Sequence, residues 1–403
     1  MTWLPQHFRE LSLHQVRRGA LIVGLVWLAS CAIGWIFEPT EFYQSYLSAW
    51  LFWLGITLGA MGIVMLHHLL GGEWGQMTRR LGEHAAMTLP LMIVLFLPIA
   101  IGTHSLYVWS RPEELAADAG LRHKAPYLNV PFFMLRAAIY GGTWFLLAWY
   151  LRGRSLQHDR TGDWATARNL HHVSAAGLPY YFVSMSFAAL DWLMSREPHW
   201  YSTVFGLLVV CGQGLSGMCF LIVAFSVLFD RPPFRGRVRA DHFNDLGNLL
   251  LTLVILWSYL DFVQLLVQWM GNKQDEVPWY IQRLSGGWWW IGLCLVVFHF
   301  FVPFFVLLMR EAKRRAPIML ALCAGLLVLR AVDTFWMTGP SGDDPHPLLH
   351  HVLSWMNFVF PLGMGGLWVA MFLWLMEGHP LMAQGGPAPP REPDAPLAGT
   401  LAL

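Results

Sequence analysis

Charge is scarce in this sequence. Asp, Glu, Lys and Arg make up 13% of its 403 residues, against about 25% in a typical soluble domain. So few charges cannot cover a water-soluble globule of this size. The formal net charge is +1, which leaves no electrostatic footprint for a nucleic acid. No nucleic-acid partner is expected. Cysteine is also sparse: Cys31, Cys211, Cys219, Cys294 and Cys323 each sit in an apolar run, no two form a CxxC, and CxxCH is absent. Iron–sulfur clusters and structural zinc need clustered thiolates, and covalent haem needs CxxCH. The chain is expected to hold no covalently bound cofactor and no metal, and its cysteines read as small packing residues.

What the sequence has instead is apolar length. Hydrophobic residues make up 56% of it and the mean hydropathy is +0.46. A bilayer core about 30 Å thick takes roughly 20 apolar residues per helix. Ten such runs occur, at 18–37, 44–70, 85–104, 128–151, 170–194, 203–229, 245–270, 286–309, 316–337 and 348–376. The expected fold is an all-α integral membrane protein with ten transmembrane helices. Arg17 and Arg18 precede the first run, but that run is too long for a signal-peptide core and lacks a small-x-small cleavage site, so it reads as a retained helix. Three regions follow: an N-terminal segment 1–17, a membrane domain 18–383, and a tail 384–403 whose Pro, Ala and Gly content predicts disorder.

Lys and Arg set the orientation. Eighteen of the 26 lie on the side of the N-terminus and six on the opposite side, with Arg136 and Arg330 inside runs. Both termini are therefore expected in the cytoplasm, in agreement with an even number of spans. Trp200, Tyr201 and Trp288 to Trp290 fall at the outer interface, where aromatic rings anchor helices.

Ionisable residues within the runs are candidates for function, because a charge at the bilayer centre costs at least about 2.5–3.5 kcal/mol. Arg136, Asp191, Asp261, Arg330 and Asp333 fall in the outer halves of their runs, His299 near mid-run, and His104, His350 and His351 at outer ends. Arg330 and Asp333 are spaced to pair on one helix face, which makes them a structural ion pair or part of a proton path. Asp191 and Asp261 have no such neighbour in sequence and read as proton-handling carboxylates. A second group lies at the inner ends: His67, His68, Glu73, Glu83, His84, His171, His172, Asp241, His242 and Asp245. These are either solvated helix ends or a proton inlet from the cytoplasm, with His67, His68, His171, His172 and Asp245 as the inlet candidates. Haem b is disfavoured, since histidine doublets at helix ends are poorly placed for a buried macrocycle.

Four segments resemble a known family. Residues 187–206, FAALDWLMSREPHWYSTVFG, resemble the DW-x-MS-x-EPHWYST signature of the NrfD-like (polysulfide-reductase-type) membrane subunits of bacterial alternative complex III. Residues 127–136, YLNVPFFMLR, resemble that family's entrance to a fourth helix. Asp245 to Asn248 with Trp257, Tyr259 and Gln264 resemble its DLG-x-LL helix, and Trp279-Tyr280 through Gly286-Gly287-Trp288 its WY-x-x-R-x-x-GGW turn. The likeness runs over nearly the whole chain, and ten spans suit the shorter, second membrane subunit of that quinol:cytochrome c oxidoreductase.

The resemblance implies two four-helix bundles, spans 2–5 and 6–9, flanked by spans 1 and 10, in a bacterial cytoplasmic membrane. It implies a sister NrfD-like subunit, periplasmic multihaem cytochrome c and iron–sulfur subunits that carry the haem c and clusters, surrounding lipid, and quinol or menaquinol as substrate of the complex. The residues that fall on its motifs are Asn129, Arg136, Asp191, Arg196, Glu197, His199, Asp245 and Asp261. Asp191 is then a proton-path carboxylate, and His199 and Trp200 a turn packed against periplasmic subunits. Two other classes remain. A secondary transporter would place Gly/Pro breaks at matching points of two repeats, which Pro90, Pro98, Pro303 and Pro361 do not do. A passive anchor has no use for the intramembrane carboxylates.

Overall fold

The computed structural model describes residues 12–274, 276–340 and 354–383. Among them the chain is 83% helical and has no strand. Ten helices are long and apolar enough to cross a membrane, which makes the chain a multi-pass membrane protein. They are span 1 (Leu13–Phe37), span 2 (Pro39–Leu70), span 3 (Glu73–Ile101), span 4 (Val130–Thr161), span 5 (Trp164–Arg196), span 6 (Phe205–Leu228), span 7 (Ala240–Gly271), span 8 (Trp289–Leu308), span 9 (Ala316–Thr338) and span 10 (Met356–Met376). The expected N-terminal segment lies outside the described residues up to Leu11, as do the tail from Gln384, His350 and His351.

Local chemistry sets several boundaries. Ser12 and Gln15 close a capping box at the start of span 1, satisfying amide groups that the helix leaves open. Asn129 accepts from the Phe132 amide at 3.0 Å and Pro131 sits in the first turn of span 4, where its missing N–H costs nothing. Gly162 ends that helix at φ 64°, and Asp163 then caps span 5 through the amides of Ala165 and Thr166.

Span 3 departs from its expected limits. It begins at Glu73 rather than residue 85, with an amphipathic helix Glu73–Ala86 ahead of Leu89–Val94 and Leu97–Ile101. Pro90 and Pro98 each remove a backbone donor, which breaks the helix. Span 2 braces the broken part: Tyr46 Oη donates to the Leu95 carbonyl at 2.9 Å and Trp50 Nε1 to that of Met92 at 2.8 Å. Span 8 contains a π-helical stretch, Leu295–Phe301, just before Pro303.

Span 2 is the core helix, with 89% of its most apolar window buried. It packs on spans 3, 5, 6, 9 and 10. Two glycines let it touch span 6 backbone to backbone. A Cβ at Gly59 would stand 1.8 Å from the Gln213 carbonyl oxygen, and one at Gly217 2.4 Å from the Ala60 nitrogen. Close approach through small residues is how helices associate where no hydrophobic effect drives them. Span 1, by contrast, is only 17% buried over its window and lies along span 10, with Gly24 against Leu367 and Gly366 against the Ala20 carbonyl. The two ends of this pair meet through an ion pair between Arg17 and Glu377. Below, the end of the molecule where span 1 finishes is called distal and the other proximal.

Candidate functional site

The distal half of spans 4 and 5 holds an ion pair. Arg136 donates from Nε to Asp191 Oδ2 at 2.8 Å and from Nη2 to Oδ1 at 2.7 Å. Its third nitrogen reaches the Tyr127 carbonyl at 3.0 Å, and Tyr140 Oη donates to Asp191 Oδ2 at 3.1 Å. The guanidinium lies over the Tyr127 ring, 3.9 Å from its centroid, a cation–π contact. Asp191 thus has no partner nearby in sequence but a complete one across the helix pair. Burial pushes the Tyr127 phenol up to about 12, and the Asp191 charge adds to that.

A second group spans helices 7, 8 and 9. Arg330 pairs with Asp333 one turn on, as their spacing predicts, and its Nε donates to Ser216 Oγ at 3.2 Å. Gly212 makes room for it, since a Cβ there would meet Arg330 Nη2 at 2.2 Å. Asp261 lies within reach of the charges of both Asp333 and Arg330. His299, on the π-helical stretch, is 0% exposed and packs against the Trp257 ring at 4.1 Å. Neither of its ring nitrogens has a hydrogen-bond partner, and the Arg330 charge reaches it. A cavity of about 20 Å³ is lined by Arg330, Ser216, Gln213 and Thr334, room for one water among polar groups. Arg330 and Asp333 therefore pair directly, with Asp261 and His299 near enough to feel the Arg330 charge, while Arg136 and Asp191 form their own pair.

Three of the four motif segments meet at the distal end with Gln264 of the fourth, while residues 245–248 lie at the opposite end of span 7. Trp200 stacks on Trp279 at 4.6 Å and 11°, and the Arg283 guanidinium lies over the Trp279 ring, 3.6 Å from its centroid. Arg283 also donates to the Met337 carbonyl at 2.8 Å, and Arg196 to that of Thr338, so two arginines cap the negative end of span 9. Burial lowers Arg283 to about 9, with the Glu197 charge opposing. Ser202 Oγ donates to Gln264 Oε1 at 2.8 Å. Trp200 is thus largely buried inside the chain rather than an exposed anchor. His199 remains largely exposed, with its Nε2 2.8 Å from Asp118. Trp288 is likewise buried, against Phe335, and only Trp289 and Trp290 of that trio are exposed anchors. Beside the Arg136 pair lies a cavity of about 480 Å³ bounded by Tyr127, Leu190, Ser195, Pro198 and Trp200.

At the proximal end the solvated reading fails for His67, Glu83, His84 and His242, all buried. It holds for Glu73, Asp241 and His172, which are exposed. His68 Nδ1 lies 3.0 Å from Ser174 Oγ, and His171 Nδ1 lies 3.2 Å from the His68 carbonyl oxygen. Those two sit together with His67, whose ring is 6.2 Å from that of His68. Asp245 is half-buried on span 7.

Sequence reasoning missed the strongest polar cluster of this end. Arg79 and Arg80 are buried on the helix Glu73–Ala86 and share Asp159 of span 4, with Arg79 Nη2 to Oδ1 at 3.0 Å and Arg80 Nε to Oδ2 at 3.2 Å. Arg80 also pairs with Glu83. The signal was present, as Arg79, Arg80 and Glu83 stand at i, i+3 and i, i+4 spacing.

Among the described residues no three His, Cys, Asp or Glu side chains are grouped to hold a metal. Compared with known proteins, the chain matches no protein-family model and no curated protein.

Proposed function

We propose that this chain is a membrane subunit of a quinol:electron-acceptor oxidoreductase in a bacterial cytoplasmic membrane. In this reading it takes up protons released by quinol or menaquinol and contacts quinol near the distal face. Spans 2–5 and 6–9 act as two four-helix bundles flanked by spans 1 and 10, with both termini in the cytoplasm. The electrons pass to haem c and iron–sulfur groups on periplasmic partners, beside a sister NrfD-like subunit. Quinol oxidation releases two protons with its two electrons, and the protons need acceptors within the membrane.

The observation that carries this reading is the cluster of Asp261, His299, Arg330 and Asp333 across three spans. Titratable groups at this depth are costly, which makes each a default candidate for function. His299 has two unpartnered nitrogens, and a water-sized space adjoins Arg330. Both Asp191 oxygens are engaged by Arg136 and Tyr140, which makes Asp261 the better acceptor. The 480 Å³ cavity beside Tyr127 falls in the usual size range for a small-molecule site.

The test is quinol-driven reduction of a soluble cytochrome by the purified complex in liposomes, with proton release followed by a pH dye. Asp261→Asn is expected to cut turnover at least tenfold while every subunit stays in the complex. Unchanged turnover and proton release with Asp261, Asp333 and Asp191 all replaced by Asn would leave a passive anchor as the better description.

A further inference from the structure

A third cavity, of about 400 Å³, opens at the distal end of span 7. Leu265, Gln268, Trp269 and Asn272 form one wall, and Tyr280 and Ile281, on the short helix Val277–Leu284, form the other. Among the described residues, no Asp, Glu, Lys, Arg or His lines it. Gln268 is only 4% exposed, and neither its amide nitrogen nor its amide oxygen has a partner. Each buried polar group left this way costs about 1–3 kcal/mol. The side chain therefore calls for an occupant that can both accept and donate a hydrogen bond. Trp269 on span 7, and Ile281 and Leu284 on the short helix, are broadly exposed at the rim, and span 7 is apolar enough to cross a membrane, so the approach to the cavity is from the bilayer.

We propose that this cavity binds an uncharged, lipid-soluble molecule whose head carries a hydroxyl group together with a second oxygen acceptor. The Gln268 amide would hold that head, with the Tyr280 and Asn272 side chains at its edge, and the apolar tail would leave past Trp269 into the membrane. The described wall offers a charged head no counter-charge, and an unpaired ion in an apolar site is expensive, so the site favours an uncharged head. Two sources offer this chemistry: a neutral glycerolipid and a hydroquinone. The site does not rest on the redox reading, since a glycerolipid would fill it in a protein of any activity.

The experiment is calorimetric titration of the full chain in nanodiscs with three probes: dioctanoylglycerol, a decyl-substituted hydroquinone, and dioctanoyl phosphatidylglycerol as the anionic control. At least one neutral probe is expected to bind saturably, and at least tenfold more tightly than the anionic one. Gln268→Leu should weaken that binding at least tenfold. Leu265→Trp, which fills the cavity from its lipid side, should abolish it, and it serves if Gln268→Leu fails to fold. The probe that binds identifies the source. Absence of saturable neutral binding, equal binding of the anionic probe, or binding that survives whichever of the two variants folds would overturn the proposal.

Discussion

Arg136 and Asp191, 55 residues apart, meet side by side through two parallel hydrogen bonds of 2.8 and 2.7 Å. This planar, two-point geometry is the strong form of an ion pair. It ties span 4 to span 5 at the level where the Tyr127 and Phe132 rings cover the guanidinium.

Removing one partner should therefore be worse than removing both. Asp191→Leu strands a buried guanidinium, a loss of about 3–5 kcal/mol in comparable cases. Arg136→Met combined with Asp191→Leu should recover most of that loss. Thermal unfolding in detergent measures it. If the double variant fell by the sum of the two single losses, the pair would not be coupled as the geometry indicates.

Helix contact through glycine makes a sharper prediction. Gly59→Ala should prevent a stable fold or lower the melting temperature strongly, because its methyl group would land on the Gln213 backbone. Gly142→Ala, in the open with nothing within 4 Å, should be neutral or stabilising by up to about 1 kcal/mol. Equal behaviour of the two variants would show that spans 2 and 6 are not pressed together.

One distal loop should respond to acid. Asp118 caps the turn Ala119–Lys124 through the amides of Gly120 and Leu121 and faces His199. Partial desolvation works against the carboxylate, but those amides and the imidazole outweigh it and hold its pKa below the ordinary 3.8. A depressed carboxylate stabilises the fold above its unfolded pKa, and the contribution is lost as pH falls through the folded value. Hydrogen exchange of residues 119–124 should quicken below about pH 4, beyond the intrinsic trend. Asp118→Asn should remove that extra step, and a step of the same size in the variant would assign the response to another group.

The ten spans were legible because hydropathy alone marks a helix that crosses lipid. The Arg330–Asp333 pair was legible because its members are one turn apart. Asp191 was harder, since its partner sits on another helix and no local spacing announces it. The proximal start of span 3 was hidden for a related reason. Its helix Glu73–Ala86 buries Arg79, Arg80 and Glu83 against Asp159, so a polar stretch that reads as a loop edge is interior. Trp200 was misjudged because an aromatic near a membrane boundary has the same sequence signature whether it faces lipid or a second tryptophan. The unpartnered nitrogens of His299 and the amide of Gln268 follow only from three-dimensional packing.

The central position of span 2 also governs the order in which the protein can be made. Trp53 donates to the carbonyl of Pro361, 308 residues later, and Thr57 accepts from Trp368 of the same final span. At about 5–20 residues per second, a ribosome needs roughly 15–60 s to supply those partners. For that interval an early helix waits in the bilayer with an indole N–H lacking its eventual acceptor. The last span closes what the second began, so a synthesis that stalls before it leaves the interior open and presents quality-control proteases with an unsealed core.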